Sequence, residues 1–208
     1  VSADLAAEFP RSTWTELPSA DRHTLAVRYM RAMWGDRRGV IAFAVGLEPF
    51  SKNGKYSHKS FSQRFYNCPD DIELAATEAM QQAAGGADVY VAPMLRLGRE
   101  RKKDNGAGGR WAWADLDGPL DEGRLTILRS LGGSARVVSS GTGHHAYFRL
   151  DSWTEPDAIE ATNKALRDVL GADAKWSNES LLRLPGTFNR KPLVFHGKSP
   201  ALVQAVTL

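Results

Sequence analysis

The stretch Trp111-Ala112-Trp113-Ala114-Asp115-Leu116-Asp117-Gly118 constrains the fold more than any other part of the chain. Side chains alternate across a strand, so Ala112, Ala114 and Leu116 share one face, and Trp111, Trp113, Asp115 and Asp117 share the other. The pattern reads as a buried strand that ends in two acids pointing the same way. Two carboxylates that close repel, unless a cation lies between them or one takes up a proton. A hard divalent ion such as Mg²⁺ or Mn²⁺ suits the pair, because it takes oxygen ligands. Alone, an Asp-x-Asp also occurs by chance at strand ends and turns, so its meaning depends on the residues downstream.

Beyond Gly118 the chain reads as helix, strand, strand, helix, strand. Residues 121–131 place Leu125, Leu128 and Leu131 at helical spacing, and Gly132-Gly133 ends the run. Arg136–Ser139 is a predicted strand, Ser140–Gly143 a tight turn, and His144–Leu150 a returning strand. Thr154 is the expected cap of a helix with Pro156 in its first turn and Gly171 at its end. The order is βαββαβ-like, a unit whose sheet leaves one face to a ligand. Upstream lie a predicted helix over 20–34, an apolar strand Val40–Val45, a helix from Asp70-Asp71 to Ala84, and a strand Val89–Val91. Residues 1–19 read as an irregular lead-in, and short strands are expected near 193–196 and 202–206. The class is α+β with two lobes, an N-terminal α/β lobe over 1–109 and a second lobe over 110–208.

Composition narrows the partners. No apolar run approaches the ~20 residues that span a bilayer, and no signal peptide is visible. A single cysteine, Cys68, excludes a disulfide framework and a cysteine-rich zinc site, and fits a cytoplasmic setting. The chain begins at Val1 rather than Met, as expected of a domain taken from a longer protein. The net charge is only +3, but it is unevenly spread. Residues 51–64 hold Lys52, Lys55, Lys59 and Arg64 with no acid. Residues 96–110 hold Arg96, Arg99, Arg101, Lys102, Lys103 and Arg110 against Glu100 and Asp104. Both segments read as loops, and the three glycines Gly106, Gly108 and Gly109 mark the second as mobile. Clustered cations beside glycines and aromatics point to a polyanion such as single-stranded DNA.

Two further motifs share the Asp-x-Asp half. In Ser140-Gly141-Thr142-Gly143-His144-His145, the turn glycines Gly141 and Gly143 expose backbone N–H groups and Ser140 adds a hydroxyl, a setting for phosphate. On the returning strand His145 falls on the polar face with Tyr147 and Arg149, and His144 on the core side. Farther on, Arg183-Leu184-Pro185-Gly186-Thr187-Phe188-Asn189-Arg190-Lys191 sets donors around a Pro-Gly turn. Arginine meets phosphate oxygens bidentately and lysine as a point charge.

Taken in this order and spacing, the three motifs resemble the primase-polymerase branch of the archaeo-eukaryotic primase superfamily, found in phage and plasmid replication proteins. The resemblance covers about residues 110–192. It implies a two-lobed catalytic core with an RRM-like lobe, and a nucleotidyltransferase: a DNA primase and polymerase that uses two Mg²⁺ or Mn²⁺ ions and no zinc. Carried over to this sequence, Asp115 and Asp117 would be metal ligands. Ser140 and His145 would contact the incoming nucleoside triphosphate. Arg183 and Lys191 would bind phosphates or nucleic acid. A third acidic ligand is expected between the hairpin and the Arg-Leu-Pro-Gly turn, either Asp173, the favoured one, or Glu179, which could instead pair with Arg183 or Arg190. A helicase domain in the full-length protein, and the cytoplasm of a bacterial host, are the expected setting.

Two other classes compete. A rolling-circle initiator or relaxase needs a histidine cluster and a nucleophilic tyrosine; His144-His145 lacks the intervening apolar residue, and no tyrosine is obviously placed for attack. A non-catalytic RRM-like module would stack bases on Trp111 and Trp113.

Overall fold

Asn53-Gly54 decides the shape of the N-terminal lobe. Both residues have positive φ, 52° and 73°, the conformation that joins two strands by the tightest hairpin turn. The flanking residues pair as β1 (Gly39–Lys52) and β2 (Lys55–Cys68), in continuous antiparallel register from Gly39↔Cys68 to Lys52↔Lys55. The first basic segment is therefore a hairpin, not a loop. Its polar, serine-rich sequence hides the alternation, because most of β2 packs little against the core.

A computed structural model describes residues 19–131 and 135–206. The expectations for the lead-in and for Gly132-Gly133 fall outside them. Helix α1 (Ser19–Trp34) precedes the hairpin, and α2 (Ile72–Ala84) and β3 (Asp88–Val91) follow it. A long connection leads to β4 (Gly109–Asp117), α3 (Glu122–Ser130), β5 (Ala135–Ser139), β6 (Gly143–Thr154) and α4 (Pro156–Leu170). The remainder forms β7 (Leu182–Arg183), β8 (Phe188–Asn189), α5 (Lys191–His196), β9 (Ala201–Leu202) and β10 (Gln204–Val206). The cap of α4 is Glu155 rather than Thr154, which closes β6, and Pro156 opens the helix. The strand expected at 193–196 is helical instead: Pro192 sits in the first turn of α5, and Gly197 ends it with φ 63°.

Among the described residues two four-stranded antiparallel sheets form, in the orders β2-β1-β3-β7 and β10-β5-β6-β4, and β8 pairs with β9 in a short third one. This is the mixed α/β arrangement the sequence implies, except that β7, expected in the second lobe, pairs with β3 in the first sheet. The alternation of β4 sorts its side chains between two cores. Ala112, Ala114 and Leu116 pack with Val137, Ala146 and Phe148 beneath Leu128 of α3 and Leu166 and Leu170 of α4. Trp111, Trp113 and Tyr147 face the other lobe and join its core, which holds Met30, Phe43, Ala79 and Val91. Polar atoms on this second face are satisfied across the lobes. The Trp111 indole donates to the Ala32 carbonyl at 3.2 Å, and Tyr29 donates to the Tyr147 hydroxyl at 3.0 Å. The face read as open to a ligand is thus closed over most of its length. It stays open where Asp115, Asp117 and His145 reach its end.

The second basic segment is pinned rather than mobile. Arg96 is fully buried, and its guanidinium donates to the carbonyls of Asn178, at 2.9 Å, and Lys102. Its backbone exchanges two 2.8 Å hydrogen bonds with Val40. The glycines serve close approach: a methyl group on Gly108 would lie 2.5 Å from the Thr154 carbonyl oxygen. Arg110 belongs to β4, on its exposed side.

Candidate functional site

The open end of β4 and β6 forms one wall of a cleft of about 640 Å³ between the sheets. Asp115 pairs with His145 across the two strands, and Asp117 pairs with Gly143. A side chain at Gly143 would strike the Leu116 carbonyl oxygen, so a glycine there lets β6 start close against the acids. After α4 the chain runs beside the outer edge of β4, where the Asp173 amide donates to the Asp115 carbonyl at 2.7 Å. The cleft is lined by Asp115, Asp117, Asp173, Ser140, His145, Arg183 and Lys191. Residues from three motifs spread over 77 positions therefore meet in one place.

Asp115 is the strained member. Its side chain is 16% exposed. His145 Nε2 stands 3.7 Å from one of its oxygens and Lys175 Nζ 3.7 Å from the other. Burial raises its pKa and the nearby Asp173 charge adds to that, against the pull of Lys175 and Arg183. His145 is buried, with no partner at Nδ1. Burial, and then the charges of Arg183, Lys175 and His144, push its pKa down to about 3, so the ring is neutral near pH 7. His144, on the opposite face, is half-buried with Nδ1 3.2 Å from the Gly118 carbonyl.

The turn before His145 is held from outside. Asn189 donates to the Ser140 carbonyl at 2.6 Å, and Gly141, with φ 90°, leaves room for Ala201 and Asn189. Arg190 donates to the carbonyls of Ala83, at 2.7 Å, and Ala87. Glu179 also lines the cleft, but Arg183 is taken up by another acid, and Arg101 donates to the Glu179 backbone carbonyl.

That other acid is Asp88, which sequence reasoning missed. It opens β3 and is fully buried. Arg183 donates to it at 2.7 Å, His58 Nε2 lies at 2.8 Å, the Arg190 amide at 3.2 Å, and Tyr56 donates as well. Burial alone would raise its pKa. The His58 hydrogen bond, the Arg183 charge and the Tyr56 and Arg190 donors outweigh burial and hold it at about 2. Gly46 makes the seat, since a methyl group there would lie 2.5 to 2.7 Å from three atoms of the His58 ring. Arg183 also lies 4.8 Å from the Tyr90 ring centre, and Tyr90 and the half-exposed Phe61 give the cleft an aromatic wall. Gly46 faces Asp88 in the sheet register, a pairing the sequence alone does not reveal.

The basic residues divide. Arg101 lines the cleft. Lys59 pairs with Glu48 at 2.6 Å, Arg64 with Glu78 at 3.1 Å, Lys102 with Glu100 at 2.8 Å and Lys103 with Glu160 at 3.4 Å. Lys52 and Lys55 flank the hairpin turn, exposed.

Four carboxylates, Asp115, Asp117, Asp173 and Glu179, and no thiolate around one cleft make a donor set for a hard divalent ion. Burial of Asp115 beside Asp173 leaves it short of positive charge, which such an ion would supply. Among the described residues no three acidic, histidine or cysteine side chains already converge as a finished ligand set. Lys175 is the cation that stands at Asp115.

No family model and no curated protein matches the sequence. Solved structures do match. The primase RepB′ superposes with a TM-score of 0.60 at 16% identity, over 89% of this chain and 56% of that one. The chain has an archaeo-eukaryotic primase-type fold. The catalytic domain of RepB′, solved in complex with initiator DNA, matches with a TM-score of 0.59 at 16% identity over 90% of this chain and 85% of that one. The primase-polymerase AEP domain of cyanophage S-2L matches with a TM-score of 0.56 at 12% identity over 81% of each chain. The chain thus spans little more than half the length of the longer RepB′ chain, and at these identities the likeness concerns the fold. Among the described residues no helix is long and apolar enough to cross a membrane.

Proposed function

We propose that the chain is a DNA primase-polymerase domain that joins nucleotides on a single-stranded DNA template. The observation that carries this reading is the meeting of the three motifs in one cleft, within a fold shared with primases. Asp115, Asp117 and Asp173 would hold Mg²⁺ or Mn²⁺. The ions, when bound, lower the pKa of the attacking hydroxyl and steady the leaving pyrophosphate. His145 is kept neutral, so it gives a hydrogen bond to a phosphate oxygen without adding charge beside the acids. Ser140 and the turn amides hold the triphosphate from one side, and Lys191 from the other. Arg183, bound to Asp88, acts as a fixed positive wall. Lys52, Lys55 and Arg101 would contact the DNA backbone. In this reading residues 110–208 carry the chemistry and 1–109 shape the opposite wall, and a phage or plasmid replication protein with a helicase domain is the expected context.

The burial of Trp113 and Trp111, 1% and 6% exposed, argues against the base-stacking RRM-like module, because neither ring can reach a base. The deciding assay is primer-free synthesis on single-stranded DNA with labelled nucleotides and Mg²⁺ or Mn²⁺. Labelled products that vanish with a chelator are expected. Binding that ignores divalent ions, or a covalent protein–DNA adduct, would replace this reading with one of its competitors.

A further inference from the structure

Lys175 belongs to none of the three motifs, yet its ammonium meets an acid of the Asp-x-Asp pair. The backbone that carries it is fixed at three points. The Asp173 amide donates to the Asp115 carbonyl at 2.7 Å, the Lys175 amide to the Asp173 carbonyl at 2.8 Å, and the Trp113 indole to the Lys175 carbonyl at 2.7 Å. The side chain is free by contrast, 45% exposed and on a four-carbon stem, with its head 3.7 Å from Asp115 Oδ2. The arginines on the cleft are committed elsewhere: Arg183 to Asp88, and Arg101 to the Glu179 carbonyl. A buried carboxylate needs a counter-charge, and an ammonium and a divalent ion at one carboxylate repel each other.

We propose that Lys175 is the resident counter-charge of the acidic site. It neutralises Asp115 while no divalent ion is bound, yields that place when an ion enters, and then swings its charge onto the triphosphate of the nucleotide. This rests on the reading of Asp115 as a metal ligand. A fixed backbone and a flexible side chain at the rim suit such an exchange, and the phosphate-binding groups line the same cleft.

The test is Mn²⁺ binding by the full chain without nucleotide, read from free Mn²⁺ by electron paramagnetic resonance. Lys175→Met is expected to bind Mn²⁺ about fivefold tighter than wild type, as suits the loss of a half-exposed competing charge. Lys175→Arg keeps the charge and is expected to stay near wild type, and Asp115→Asn to lose most binding. With Mn²⁺ saturating, a non-hydrolysable triphosphate analogue should bind Lys175→Met about tenfold more weakly, since a charge-assisted contact is gone. Lys175→Gln repeats both measurements should the methionine variant fold poorly. Unchanged or weaker Mn²⁺ binding in both neutral variants, with Asp115→Asn still defective, overturns the role of Lys175 alone. Absence of Mn²⁺ binding by wild type overturns the metal reading and this proposal with it.

Discussion

Asp88, fully buried, and Asp115, largely but not wholly buried, are carboxylates on strands of the two sheets, and their surroundings are opposite. Asp88 has donors from Arg183, His58, Tyr56 and the Arg190 amide, and its pKa is held down at about 2. Asp115 has two nitrogens at 3.7 Å, and burial raises its pKa. A satisfied buried charge is a structural fastening, because removing a partner leaves the other uncompensated. One held loosely, by a half-exposed lysine at the rim of a cleft, can exchange that partner for another cation. Asp115 lines the cleft, whereas Asp88 lies behind the lining residues Arg183, His58 and Tyr56, so the molecule keeps its rigid charge and its reactive charge apart.

The sharpest way to break the comparison is to neutralise each acid in turn. Asp115→Asn is expected to cut nucleotide transfer by roughly 10³-fold or more while the urea midpoint shifts little, since the pair lost with half-exposed Lys175 is weak and burial already disfavours the charge. Asp88→Asn is expected to cost about 3 kcal/mol or more of unfolding free energy, because Arg183 stays buried without its counter-charge. Extension assays beside urea denaturation decide it, and a stability loss in Asp115→Asn equal to that in Asp88→Asn would erase the distinction.

Acid titration of stability separates the two further. Asp88 has a folded pKa of about 2 against an ordinary 3.8, so the unfolded chain takes up the proton first as pH falls. Its contribution, on the order of 2 kcal/mol, is complete above about pH 4 and is lost as pH falls toward 2. Urea melts at a series of pH values should show that limb in wild type and in Asp115→Asn, and its absence in Asp88→Asn. Gly46→Ala attacks the same fastening through its seat, and about 1–3 kcal/mol of destabilisation is expected as the methyl displaces His58. Smallest is the effect on the paired and unpaired cations. Lys52→Glu and Lys55→Glu should each lower the log–log salt slope of single-strand binding by about 0.7, and Arg64→Gln, already held by Glu78, should leave it unchanged.

The sequence was most legible where local pattern and burial agreed. The alternation of β4 placed Asp115 on the face of Trp113 and away from Leu116, and the pleat of β6 parted His145 from His144, as the structure has them. It was least legible where a residue's role depends on distant partners. Asp88 meets Arg183 across 95 positions and His58 across 30, and a lone Asp before a three-residue apolar run gives no local sign of either. The β1–β2 hairpin was obscured differently. Asn53-Gly54 is a strong turn signal, but the lysines and serines around it suggested solvent, and the strands project beyond β3, which meets β1 only along Phe43–Gly46. In the 96–110 segment, charge and glycine suggested motion, whereas a buried arginine and tight contacts fix it.

After α4 the chain lends β7 to one sheet and β10 to the other. The two lobes are therefore laced together by a single thread, with the Tyr29–Tyr147 and Trp111–Ala32 hydrogen bonds as knots behind it. Any parting of the lobes would have to break these hydrogen bonds and strain the connection from β7 to β10. Whatever enters between Asp115 and Tyr90 therefore meets two walls that a single run of chain ties together.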